Sequence, residues 1–168
     1  YAIDLFRQIL SIDPDHVQSR QALRATCLKK CQDHGFPSAG KAVLSGLGSR
    51  FGAMLGGITK NVGKKIDSLM DYLVKDPNNV KVRVQLGEAL KEGGHLDGAI
   101  TELEFAFQTD NHNGPCARLL GDCHKEKGDI PKAIDYYQIV VRVMPDDRNA
   151  NGSLKDLLAM GSMKGGWD

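Results

Sequence analysis

A spacing of 34 residues, shared by several positions at once, constrains this chain more than any other feature. Leu86-Gly87 recurs as Leu120-Gly121, Gly94 as Gly128 and Ala99 as Ala133, and Leu103 is matched by Tyr137. A period of that length marks small supersecondary units that bury their apolar faces only by stacking on one another. Each position has a physical reading. Leu86 and Leu120 face a partner helix, and Gly87 and Gly121 permit close approach of two helix backbones. Gly94 and Gly128 fall where a first helix ends and a left-handed residue is wanted. Ala99 and Ala133 are small contact points of a second helix, whose apolar stripe at i, i+3, i+4 and i+7 is read in AITELEFAF and AIDYYQIVV. The pattern predicts an all-α chain with two antiparallel helix pairs over 80–145. Breaks are expected near Gly94, Asn111–Pro115 and Gly128, with a further helix from about Asn149 to Leu158.

Leu-Gly, turn Gly, Ala, an aromatic and a closing Pro145 resemble the tetratricopeptide repeat, a helix-pair solenoid. Departures are Asn111 where proline closes the repeat, and Arg83 and Ala117 where the pattern has its early tryptophan. The resemblance divides the chain. Residues 1–14, with Ala2, Phe6, Ile9 and Pro14, read as the second helix of a repeat that begins upstream. Residues 15–77 read as one repeat, with Val17, Ala22, Leu23 and Leu28 turned inward and an insert at about 35–64. Residues 78–147 hold two full repeats, 148–160 a capping helix of the kind arrays require, and 161–168 a tail.

Pro14 and Pro77 stand 63 residues apart, 29 more than one period, which is about the size of the insert. The insert is glycine-rich and has no acidic residue, yet its apolar residues are helically spaced. Leu44, Leu47, Phe51, Leu55 and Ile58 share an arc of about 120°, opposite Lys41, Arg50, Lys60 and Lys64. Each interior glycine costs about 1 kcal/mol relative to alanine, so this amphipathic helix is expected to need a covering surface. Three surfaces meet that need: the chain's own repeats, another protein (a second copy included), or anionic lipid.

The formal charge of +1 conceals a basic half and an acidic half, with ten basic and four acidic residues over 1–66 and twelve against seventeen over 67–168. The basic charges are spread around helices without interleaved aromatics, which disfavours nucleic acid. Cys27, Cys31, Cys116 and Cys123 form no secreted framework and read as reduced thiols in a cytoplasmic setting. Cys27, Cys31 and His34 share a helical face, but no second cluster completes a four-ligand zinc site, so no metal is expected. Nucleophile elbow, phosphate loop and metalloprotease motif are all missing from the sequence, so neither catalysis nor a cofactor is expected.

In the repeat family, first helices line the concave groove. By that resemblance the groove carries Glu88, Asp122 and Asp156 at one register, with Lys91, Lys125, Glu92, Glu126 and Arg118 beside them. Family members that clamp a C-terminal carboxylate place asparagine where Glu88 and Asp122 stand, and two carboxylates there would repel such a ligand. The expectation is a scaffold or adaptor within a larger assembly, recognising a basic or amide-rich protein segment. The alternative is a membrane-peripheral assembly factor anchored by the insert.

Overall fold

The computed structural model describes residues 1–35 and 61–163 of the 168-residue chain. Among these residues there are eight helices and no strand: α1 (Ala2–Ile12), α2 (Val17–His34), α3 (Val62–Lys75), α4 (Val80–Glu92), α5 (Leu96–Thr109), α6 (Gly114–Lys127), α7 (Ile130–Val143) and α8 (Arg148–Met163). Helices α4/α5 and α6/α7 form the two expected antiparallel pairs. Each packs on its chain neighbours, with α8 against α7. The fold class expected from the 34-residue period is the one observed.

Local chemistry sets the helix starts. Asn79 and Asn113, themselves 34 residues apart, accept from Val82 N (3.1 Å) and Cys116 N (3.0 Å), which satisfies donors a helix leaves open at its first turn. Asp129 and Asp147 cap α7 and α8 in the same way. Pro115 and Pro131 sit in first turns, where a missing N–H costs no helical bond. Gly94 and Gly128 adopt φ of 80° and 81° and end the first helices of the pairs.

Leu86, Leu90, Ala99, Leu103, Leu120, Ala133 and Tyr137 are all buried, so the repeat register places the core correctly. The reason for Gly87 and Gly121 differs in detail from the expected backbone approach. A Cβ at Gly87 would lie 2.4 Å from Leu103 Cγ, and one at Gly121 would lie 2.9 Å from Tyr137 Cε1. The glycines make room for the large side chain of the second helix within their own pair.

The first hairpin is held differently. Helix α2 packs on α1, and it meets α5 as well as α3. Its inward face is Arg20, Leu23, Cys27 and Cys31, while Val17, Ala22 and Leu28 are only half-buried. The turn between α1 and α2 sits on the start of α5. His95 provides no side-chain cap there, and instead Asp15 Oδ1, 83 residues away, accepts from Gly98 N at 2.8 Å. Most of the expected insert, including Leu44, Leu47, Phe51, Leu55 and Ile58, lies outside the described residues.

Candidate functional site

The first helices α4, α6 and α8 carry the acidic register, but its three members differ. Glu88 and Asp156 are exposed, and no hydrogen bond or ion pair among the described residues engages them. Asp122 is half-buried and accepts from Tyr137 Oη at 2.7 Å. Asp122 is therefore not free, unlike Glu88 and Asp156. The tyrosine of one helix of the pair reaches the acid of the other because Gly121 leaves the space beside it open. Burial and this bond raise the Tyr137 phenol above its usual range.

The other residues that the resemblance assigns to the groove are mostly taken. Lys91 pairs with Glu126 of the next first helix, and this bond raises the lysine's pKa. Glu92 pairs with Lys65 of α3 at 3.0 Å. Lys125 donates to Ser153 Oγ of α8 at 3.3 Å, and Arg118 lies 3.5 Å from Asp147. These contacts run from one helix pair to the next and staple the array. The set holds five carboxylates and three cations. Among the described residues its carboxylates without a partner are Glu88 and Asp156.

A second polar constellation lies in the core. Arg20 of α2 and Arg83 of α4 converge on Glu102 of α5, all three almost fully buried. Arg20 Nη1 lies 3.4 Å from Glu102 Oε1, and Arg83 Nη1 bonds Glu102 Oε2. Each arginine also donates to a proline carbonyl before its helix, Arg20 to Pro14 O at 2.7 Å and Arg83 to Pro77 O. Arg24 and Arg83 flank the Phe105 ring at 4.2 and 4.8 Å from its centroid. Sequence reasoning noticed Arg83 only as a missing tryptophan. The signal was present: Arg20 and Arg83 are 63 residues apart, the same offset as Pro14 and Pro77.

The four thiols are free and buried. Burial pushes Cys116 and Cys123 up to about 12, which makes them poor nucleophiles. Among the described residues no three His, Cys, Asp or Glu side chains converge as metal ligands. No helix of the described residues is long and apolar enough to cross a membrane.

His124 is also buried, at 3% exposure, stacked on Tyr136 with ring centroids 5.6 Å apart. Its Nδ1 is 3.5 Å from Asp129 Oδ2, beyond a good hydrogen bond, and Nε2 has no partner among the described residues. Desolvation lowers its pKa below the ordinary 6.5, while Asp129 opposes the shift. The folded protein thus favours neutral imidazole, so its contribution to stability is complete above pH 6.5. It is lost as pH falls, because the unfolded chain takes up the proton first. Urea melts at pH 7.5 and 5.5 should show wild type losing more stability than His124→Phe. Equal losses would mean that His124 titrates like a solvated histidine.

No family model and no curated protein matches this sequence. Solved structures do. A MamA crystal structure is similar at a TM-score of 0.57 and 20% identity, over 94% of this chain and 70% of that one. TTC0263, a thermophilic tetratricopeptide protein of Thermus thermophilus, is similar at 0.52 and 13%, over 94% and 71%. The first tetratricopeptide domain of Spaghetti (RPAP3), bound to the HSP90 peptide SRMEEVD, is similar at 0.54 and 16%, over 56% and 77%. With its 34-residue register, its paired helices and these neighbours, the chain has the tetratricopeptide-repeat fold.

Proposed function

We propose that the chain is a non-catalytic protein-interaction scaffold, a subunit or assembly factor of a larger complex. Its groove takes a basic or amide-rich segment of a partner protein. The observation that carries this reading is the contrast within the groove. Glu92 and Glu126 are consumed by Lys65 and Lys91, whereas Glu88 and Asp156 at one repeat register are exposed and unpaired. Asp122 stands between them on α6, held by Tyr137. The RPAP3 domain holds a peptide with three acidic residues. The carboxylates at 88 and 122 would repel such a peptide, so the same fold here favours the opposite charge.

Neighbouring helices lie about 8–10 Å apart and an extended chain advances about 3.3–3.6 Å per residue. A segment with lysine at every third position therefore matches the register. A fluorescent peptide of that pattern should bind the full chain and be released by raising salt. The double substitution Glu88→Lys with Asp156→Lys should weaken binding about tenfold or more, a change of about 1.4 kcal/mol. Unchanged affinity after both reversals would reduce the register to solvated helix surface.

A further inference from the structure

Where α2 crosses α3, α4 and α5, a cavity of about 20 Å³ is lined by Arg20, Arg24, Arg83, Cys27, Leu86 and Glu102, among others. Its charge does not balance. Two fully buried guanidinium groups, Arg20 and Arg83, meet one carboxylate, with Arg24 half-buried at the edge, and guanidinium is always charged in proteins. Arg20 and Arg83 are 1% and 3% exposed, so water does not screen their excess. Donors are left over as well: Arg20 Nη2 and Arg83 Nε have no hydrogen-bond partner among the described residues. Asp15 and Asp13 act on Arg20 through space but neither hydrogen-bonds it, and both Asp15 oxygens are engaged with Gly98 N and His95.

Buried donors without acceptors are costly, and an uncompensated buried charge more so. A water molecule in the cavity would satisfy the donors and leave the charge. A small anion satisfies both. We propose that this cavity binds one small monovalent anion, of which chloride is the common example. Two fully buried guanidinium groups against one carboxylate leave a single positive charge, which favours a monovalent ion, and a cavity of about 20 Å³ favours a small one. An anion there would bind α2 to the α4/α5 pair through Arg20 and Arg83 together, and so fasten the first hairpin to the array.

Thermal melts of the full chain at constant ionic strength, with sodium gluconate replaced stepwise by sodium chloride, test the proposal. Gluconate is too large to enter. The melting temperature should rise saturably, by roughly 3–6 °C at ten times the half-saturating chloride concentration. Crystals soaked in bromide should show an anomalous peak beside Arg20 Nη2. Arg20→Met should abolish the chloride-specific rise, and if that variant does not fold, the bromide map of the wild type decides. Identical melting in both salts, a cavity without bromide, or an undiminished chloride response in folded Arg20→Met would each overturn the proposal.

Discussion

Replacing Glu102 with alanine is expected to destabilise the protein by about 3–5 kcal/mol, because it strands two buried guanidinium groups. Arg20 and Arg83 reach Glu102 from helices that are not neighbours in the chain, and neither arginine has water to fall back on. The loss should far exceed that for an exposed pair such as Lys127–Asp97, where solvent screens the charges. A further substitution separates charge from shape. Arg20→Met, Arg83→Met and Glu102→Leu together should recover most of the loss, since a buried ion triad is often replaced by apolar groups at little cost. Equilibrium urea denaturation of the single and triple variants measures this. If Glu102→Ala unfolds at the wild-type midpoint, the triad contributes nothing to holding α2 on α5.

Leu120→Ala should cost about 2–5 kcal/mol through the cavity it leaves. Leu120 is fully buried in the main core cluster, at the seam where the α6/α7 pair meets the α4/α5 pair. Helix pairs in an array are stable only through their neighbours, so damage at a seam weakens both sides. The thermal transition should fall by roughly 4–20 °C, taking about 2–4 °C per kcal/mol for a chain of this size. Substitution of the exposed Leu158 in α8 should shift it little. Comparable effects at the two leucines would show that the register assigned to the α6 core is wrong.

Both predictions concern burial, yet they differ in what made them foreseeable. Leu120 was legible in the sequence because helix-pair stacking is local and periodic. A residue 34 positions from its equivalent meets an equivalent neighbour, so Leu86, Ala99, Leu120 and Ala133 could be placed in the core without coordinates. The turn glycines followed for the same reason, since a left-handed residue at the end of a helix is a demand of backbone geometry alone. The acidic register at 88, 122 and 156 also follows from the period, but its exposure does not. Whether a carboxylate is free depends on what reaches it from another helix. Tyr137 takes Asp122, Lys65 takes Glu92 and Lys91 takes Glu126, each across a distance that the 34-residue pattern does not encode.

The docking of the first hairpin lay furthest from the sequence. Arg20 and Glu102 are 82 residues apart, and Asp15 and Gly98 are 83 apart. Hydrophobic periodicity marks faces that exclude water and says nothing of a polar face buried by charge pairing. In α2 the packed face joins Arg20 to Leu23, Cys27 and Cys31, so apolar spacing marks only part of it. The sequence by itself determined the helix pairs, their turns and the apolar seam between them, because those rest on short-range geometry repeated along the chain. Only the tertiary structure decided which charges are buried together and which remain free, because a charge gains its partner from whatever helix folding brings within a few ångströms of it.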